Sequence, residues 1–155
     1  MSEGKFYLRR WKHTGDDDPE QATSVLGLIW NRREDELKIN LDWLESYELE
    51  IVSKRFILSV THRILDHVGF LCTVLLMPMI MLQKIWKDNI PWEREVEHNM
   101  KLEFLKWFEE LSSLKNLSVR RCFCPASSGE HVISVQTFCD ASQFAYAAAV
   151  FVRIK

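Results

Sequence analysis

Apolar residues along this chain are spaced first as in strands, then as in helices, and finally as in strands again. The runs SVLGLIWN and ELKINL flank the polar segment RRED and predict a β-hairpin. Gly27, inside the first run, indicates a bulge or a close backbone approach. KFYLRRW predicts an earlier strand, and HVISVQTFC and AYAAAVFVRI predict two strands around the turn DASQF. This order predicts an α+β fold or pieces of two domains.

Three helices are predicted in the middle of the chain. The first has Ser53 as its N-cap and an apolar repeat at helical spacing, made of Ile57, Val60, Ile64 and Val68. The second follows Gly69, is largely buried and ends near Trp86, with a kink or a break at Pro78. The third carries a wide apolar stripe, made of Leu102, Leu105, Phe108 and Leu111, with Phe104 and Trp107 alongside.

Composition and charge narrow the class of protein. Of the 155 residues, 47% are hydrophobic and 27% charged, as in globular proteins. The formal net charge of −2 supplies no general basic field, so strong autonomous nucleic-acid binding is not indicated, although YLRRWKH and VRR are locally basic. The apolar run from Val68 to Leu82 is shorter than the roughly 20 residues that span a bilayer, so a membrane peptide is the least favoured function and no membrane partner is expected.

The four cysteines form no C-x-x-C pair, and no histidine pattern completes a zinc site. The N-terminus has no apolar signal segment. We therefore expect reduced thiols and an intracellular, cytoplasmic location, and not secretion.

Asp140 lies between two strand-like runs, where an acidic residue is unfavourable. A charge beside apolar neighbours is costly to bury unless a partner or a metal ion compensates it. The residues alone leave two interpretations open. Asp140 either starts a turn with Ser142 nearby, or it binds a cation.

Five blocks of the chain resemble, in order, the Pol polyproteins of Bel/Pao retrotransposons. GKFYLRRWKHTG is similar to the family's G-F-x-L-R-K-W-x-S-N, VLGLIWNRREDEL to V-L-G-L-x-W-N-x-x-x-D, and SKRFILSVTHRILDHVGFL to T-K-R-x-x-L-S-x-x-x-x-x-x-D-P-L-G-F-L. IWKDNIPWE resembles a Trp-rich segment before a long helix, and FCDASQFAYAAAVFVR resembles F-C-D-A-S-x-x-A-Y-G/A-A-V-V-Y-x-R. The segment DHVGFLCTV lacks both prolines of the family's D-P-L-G-F-L-A-P.

The resemblance implies a region between the reverse transcriptase palm and the ribonuclease H domain. Residues 1–50 would be the end of the palm, with VLGLIW in the hairpin that helps to hold the primer. Residues 51–118 would be a helical thumb or connection, and residues 130–155 the truncated first hairpin of a ribonuclease H-like domain. This region is often labelled Pao retrotransposon peptidase, aspartic type A17, but the D-[ST]-G triplet of an aspartic protease is absent from the sequence.

The resemblance also implies a role for Asp140. Ribonuclease H chemistry uses several carboxylates around two Mg²⁺ ions, and Asp140 matches the first of these carboxylates, as a catalytic residue and metal ligand. The other carboxylates are expected beyond the second strand, and the polymerase's Y-x-D-D motif before Lys5. We therefore expect Mg²⁺ in the intact parent enzyme, no cofactor in the isolated chain, and no catalytic activity of this chain alone.

The implied partners are an RNA–DNA hybrid or template-primer and the rest of the Pol polyprotein. The candidate nucleic-acid contacts are basic residues, namely Arg9, Arg10, Lys12, Lys54, Arg55, Arg120 and Arg121. For each of them a solvated surface charge is the alternative. The alternative function is a non-enzymatic host interaction module derived from a retroelement, with its binding surface around Trp92 and Trp107.

Overall fold

The chain divides into two units, Met1–Arg121 and Cys122–Lys155, and the computed structural model describes residues 22–46, 51–66, 69–122 and 132–154. The described strands of the first unit are β1 (Ala22–Val25), β2 (Leu28–Asn31), β3 (Glu36–Ile39) and β4 (Ser118–Arg120). Its helices are α1 (Lys54–Arg63), α2 (Cys72–Lys87) and α3 (His98–Glu110), with 3-10 helices at Asp42–Ser46 and Leu111–Asn116. The second unit contains β5 (Ile133–Ala141) and β6 (Tyr146–Ile154). The predicted order of strands, helices and strands is confirmed, while KFYLRRW lies outside the described residues.

The first hairpin turns at Leu26 and Gly27, so SVLGLIWN forms two strands and not one. The φ angles of these two residues are 50° and 80°, and Val25 pairs with Leu28 across the turn. Positive φ at both central residues is typical of the two-residue turns that match the twist of a hairpin. A Cβ atom on Gly27 would overlap the side chain of Leu65. The expected close approach at Gly27 is confirmed, but its placement inside a strand was wrong because a strand cannot hold this φ.

The predicted hairpin around RRED is confirmed as β2–β3. The Asn31 side chain accepts hydrogen bonds from the backbone N–H groups of Arg33 and Glu34, at 3.1 and 3.3 Å. Asp35 takes a φ of 53°, and the indole nitrogen of Trp30 donates to its carboxylate at 3.0 Å. The W-N-x-x-x-D spacing therefore supplies the hydrogen bonds of a turn.

The four strands of the first unit form one antiparallel sheet in the order β1-β2-β3-β4. β4 follows all three helices in the chain and pairs with β3, with Leu37 opposite Val119. Leu28 and Ile39 are buried and belong to the same hydrophobic core as the helices. The sheet and the helical segment thus share one core.

The first two helices test the predicted cap at Ser53 and the predicted kink or break at Pro78. Ser53 is the N-cap of α1, as predicted, and its hydroxyl accepts a hydrogen bond from the N–H of Phe56 at 3.3 Å. α1 ends at Arg63, earlier than the predicted repeat, whose last residue Val68 is outside the described part of the chain. α2 runs unbroken past Pro78 to Lys87, so of the two predicted alternatives, a kink or a break, the break was wrong. Burial of Pro78 and of the turns after it offsets the one backbone hydrogen bond that proline removes.

The buried face of α3 contains most of the predicted apolar stripe, with Leu102 as the exception. Phe104 is fully buried, whereas Leu102 is 52% exposed and Leu105 is only partly buried. The residues that face the core are Met100, Phe104, Trp107, Phe108 and Leu111. Their spacing of three and four residues follows the helical repeat. The predicted stripe is therefore confirmed as core at Phe104, Trp107, Phe108 and Leu111, and it was wrong at Leu102.

Candidate functional site

Asp140 lies within strand β5, opposite Ala147 of β6. β5 continues through Ala141, and the chain turns at residues 142–145. The turn is held by Ser142, whose hydroxyl accepts from the N–H groups of Phe144 and Ala145 at 3.3 and 3.1 Å. The predicted strand–turn–strand is confirmed, but the turn is shifted past Asp140, so the interpretation of Asp140 as the start of the turn was wrong.

The register of the hairpin decides which side chains share a face with Asp140. Because successive side chains of a strand point to opposite faces, Phe138 of β5 and Phe151 of β6 lie on the face of Asp140. Their rings form an edge-on pair with centroids 5.6 Å apart. The opposite face carries the aliphatic pair Val135 and Val152. Asp140 thus shares its face with aromatic and polar side chains, whereas the opposite face is mostly apolar.

The carboxylate of Asp140 is exposed, and it accepts a hydrogen bond from the N–H of Ala141 at 2.9 Å. An exposed carboxylate on a strand pays no burial penalty, so the cost that the sequence suggested does not arise in this unit. Carboxylate oxygen is the ligand type that Mg²⁺ prefers. The described residues nevertheless contain no group of three or more His, Cys, Asp or Glu side chains able to hold a metal ion. The described part of the chain does not by itself form a two-ion site.

Lys54 has its ammonium group against two tryptophans and not in open solvent. Only 6% of Lys54 is exposed, and its Nζ lies 5.0 Å from the ring centroid of Trp86 and 4.7 Å from that of Trp92. Such cation–π contacts stabilise a desolvated ammonium by about 2 kcal/mol. In this conformation Lys54 supports the two indoles from within the fold.

Arg55, the next residue, faces solvent. Its Nε forms an ion pair with Glu93 at 2.5 Å, in which both side chains are well exposed, at 66% and 70%. The guanidinium carbon lies 5.9 Å from the ring centroid of Trp92. Ion pairs at this exposure contribute little to stability, so the Arg55 guanidinium can exchange Glu93 for another anion at small cost.

The remaining basic candidates fall in different places. Arg121 binds Asp35 and lies over Trp30, with its guanidinium carbon 4.9 Å from the ring centroid. Arg120 is exposed at the end of β4. Arg9, Arg10 and Lys12 lie outside the described residues. The structure therefore brings Lys54 and Arg55 together beside Trp92, and it does not group them with Arg121.

Two tryptophans were expected to form a binding surface, and they differ in exposure. Trp107 is 6% exposed and donates its indole N–H to the backbone oxygen of Val74 at 2.8 Å, so it belongs to the core. Its edge borders a cavity of about 540 Å³ between α2 and α3. Trp92 is 44% exposed and makes an edge-on contact with Trp86. Of the two predicted residues, Trp92 is available at the surface.

The carboxylate of Asp66 accepts several backbone hydrogen bonds, a role that the sequence did not predict. Its two carboxylate oxygens accept the backbone N–H groups of Gly69, Phe70 and Leu71, at 2.8, 3.1 and 2.8 Å. These amides lie just before the first residue of α2, Cys72. The usual start signal is an N-cap side chain directly before the helix, whereas Asp66 lies six residues before Cys72, so the sequence pattern did not reveal it. The carboxylate has a structural role in starting α2.

Comparison with known proteins places the chain in a class. Its strands, intervening helices and terminal hairpin with an exposed carboxylate are compatible with a ribonuclease H-like domain. The family model described as Pao retrotransposon-like RNaseH-like domain matches residues 53–155, about two thirds of the chain, and the chain belongs to this family. This confirms the expected origin in a Pao retrotransposon Pol region. Neither a curated protein nor a solved structure matched.

None of the described helices is both long enough and apolar enough to cross a membrane.

Proposed function

We propose that this chain is a segment of a retrotransposon Pol polyprotein in which Asp140 is the first carboxylate of a ribonuclease H-type site. The observation that carries the proposal is the family match over residues 53–155, together with the placement of Asp140 inside a strand. A strand holds a ligand more rigidly than a turn does, and its exposed carboxylate is free to meet other carboxylates of the polyprotein. With one such carboxylate in the hairpin, the isolated chain is inactive.

The proposal assigns Mg²⁺ to the intact polyprotein, because only a complete set of carboxylates neutralises two divalent ions. In that site Asp140 would be one ligand. The hairpin's exposed apolar side chains, among them Val135 at 64% and Val152 at 56%, give the reason why more of the domain is needed. An isolated two-stranded hairpin is marginal in water, so further sheet or helix would cover one face.

The parent polyprotein is proposed to bind an RNA–DNA hybrid or template-primer. In this scheme β1–β3 belong to the end of the palm, and the helices to a thumb or connection. Arg55 is the described cation best placed to contact a phosphate, because it is exposed and its ion pair with Glu93 is weak. Lys54 would act by supporting Trp92, and Arg9, Arg10 and Lys12 remain predicted contacts.

The test starts with the transcript. Reading the frame on both sides of these 155 codons shows whether a Y-x-D-D motif precedes them and acidic residues follow at ribonuclease H spacing. The extended protein is then assayed for Mg²⁺-dependent cleavage of the RNA strand of a hybrid, as wild type and as Asp140→Asn. Asp88→Asn, which removes an exposed carboxylate after α2, is the matched control.

Loss of cleavage by at least a hundredfold in Asp140→Asn, with Asp88→Asn unchanged, is the expected result, since removing a metal ligand affects the transition state directly. Equal cleavage by the two variants would exclude Asp140 as a ligand. Flanking stop codons or unrelated exons would overturn the catalytic role for this chain.

The second candidate is a non-enzymatic interaction module that retained the helical region. The observation in its favour is the cavity between α2 and α3, with an apolar floor that includes Met77 and Leu114 and a charged rim that includes Glu103 and Lys106. Such a surface suits an amphipathic peptide. The substitution Met77→Lys should abolish binding of a defined protein partner while the chain stays folded, and unchanged binding would remove this candidate.

A further inference from the structure

Trp86 and Trp92 form an aromatic surface feature, here named the tryptophan pair. Their rings meet edge to face with centroids 6.3 Å apart, and each residue is 44% exposed. Large aromatic side chains normally bury most of their area. Here Lys54 lies against both rings from the protein side, yet nearly half of each residue stays in contact with solvent.

The backbone around the tryptophan pair is fixed by hydrogen bonds. The N–H of Arg55 donates to the backbone oxygen of Trp92 at 3.2 Å, and the N–H of Val96 donates to that of Val52 at 3.0 Å. An isolated β-bridge joins Ser53 to Glu95. The segment after α2 is therefore tied to the start of α1, which keeps Trp92 in place without a ligand.

One exposed cation contacts the tryptophan pair, and two more are close to it in sequence. Arg55 lies beside Trp92, Lys87 follows Trp86 as the last residue of α2, and Arg94 is two residues after Trp92. Proteins bind single-stranded nucleic acid with two kinds of side chain, exposed aromatic rings and cations. The rings stack on bases, and the cations contact phosphates.

We propose that the tryptophan pair binds unpaired bases of a single-stranded RNA or DNA, with Arg55 on the adjacent phosphate. This deepens the proposed function, on which it rests, by naming single strands as the ligand of this surface. Bases inside a duplex are already stacked and cannot reach an indole without being extruded. Stacking therefore favours single strands over the hybrid duplex.

Glu93 sets the strength of this contact. In the free protein the Glu93 carboxylate is paired with the Arg55 guanidinium, with Oε1 2.5 Å from Nε. An incoming phosphate has to displace this carboxylate. Removal of the carboxylate frees the guanidinium and lowers the local negative charge. A purely structural ion pair would not make binding tighter when it is broken, so this residue separates binding from stability.

The experiment measures binding of the 155-residue chain to a fluorescein-labelled oligo-dT of about 12 nucleotides, a typical site size, by anisotropy at low salt. A 12-base-pair RNA–DNA hybrid is the competitor. Trp92→Leu should weaken single-strand binding roughly tenfold, and Arg55→Gln should weaken it and reduce its salt dependence. Glu93→Gln should strengthen it about two- to threefold.

The matched controls come from another exposed ion pair, in which Lys115 lies 2.6 Å from Glu45 and which joins the two 3-10 helices. Lys115→Gln matches Arg55→Gln, Glu45→Gln matches Glu93→Gln, and both should leave binding unchanged. Circular dichroism checks that each variant is folded. The expected result for Glu93→Gln is tighter binding, which misfolding cannot produce. Preference for the hybrid, tighter binding in Glu45→Gln equal to that in Glu93→Gln, or no binding at all would overturn the inference. The hybrid-cleavage assay of Asp140→Asn tests the proposed function separately.

Discussion

The guanidinium of Arg121 donates two hydrogen bonds to the carboxylate of Asp35, from Nε to Oδ1 at 2.7 Å and from Nη2 to Oδ2 at 3.3 Å. The N–H of Arg121 also donates to the backbone oxygen of Asp35 at 2.9 Å. The indole N–H of Trp30 binds the same carboxylate. The turn between β2 and β3 is thus fastened to the end of β4, which is distant in sequence.

This contact predicts a pH dependence of stability. The hydrogen bond from Arg121 is the main cause that lowers the pKa of Asp35 below its ordinary 3.8, with a smaller lowering by Trp30, while desolvation opposes both. A carboxyl group with a lowered folded-state pKa stabilises the protein above its unfolded-state pKa, and that contribution is lost as the pH falls toward the folded value. Asp35→Asn should therefore be less stable than wild type at neutral pH, with a smaller difference near pH 2.

Urea unfolding at several pH values between about 7 and 2 measures this difference. Asp88→Asn is the control, since no hydrogen bond of its side chain links it to Arg121. A constant gap between Asp35→Asn and wild type across the range would contradict the linkage.

Asp66→Ala should destabilise the chain by about 1–3 kcal/mol, because three backbone N–H groups lose their acceptor at the start of α2. Asp66→Asn retains one amide oxygen and should lie between Asp66→Ala and wild type. Chemical denaturation followed by circular dichroism gives the unfolding free energies. If Asp66→Ala and Asp88→Ala behave alike, the capping role of Asp66 is wrong.

Phe104→Ala should cost about 3–5 kcal/mol, since the ring is fully buried and its removal leaves a cavity among Phe56, Trp107 and Phe108. Leu102→Ala, two residues earlier on the exposed side of α3, should change stability by about 0.5 kcal/mol or less. Thermal melts of the two variants compare the faces of the helix directly. A similar loss in both would show that Leu102 belongs to the core, as the sequence pattern predicted.

The backbone amides of β5 and β6 should exchange with solvent far faster than those of α3. Their side chains are exposed almost throughout, and a two-stranded hairpin has little to hold it closed. Hydrogen–deuterium exchange resolved by mass spectrometry compares peptides from 133–154 with those from 98–110. Slow exchange of the hairpin in the isolated chain would show that it is covered, by the rest of the chain or by a second copy.

Local signals in the sequence predicted much of this fold. Ser53 as a cap, the hairpin around RRED and the paired strands near Asp140 all depend on neighbours within a few residues, and all are confirmed. The errors arose where local rules compete. The apolar residues around Gly27 fit a strand, but the positive φ angles of Leu26 and Gly27 form a turn there. Leu102 fits the apolar stripe of α3, but its exposure depends on where α2 and the sheet pack against the helix.

The candidate site was less predictable, because its contacts join distant parts of the chain. Nothing local to Lys54 shows that it lies under Trp86 and Trp92, and nothing local to Arg121 shows that Asp35 is its partner. Basic residues next to each other in sequence therefore proved different in role. Asp140 was singled out correctly as unusual, but its position in the strand and its exposure required the structure.

The pairing of β3 with β4 has a consequence for synthesis of the chain. A ribosome releases β1, β2 and β3 early, while their final neighbour appears only after α1, α2 and α3 have been made. During that interval the outer edge of β3 has unpaired backbone groups that can recruit another strand. Nascent chains are therefore most open to mispairing before residue 118 emerges. Once β4 has paired with β3, the contact of Arg121 with Asp35 holds the two strands together.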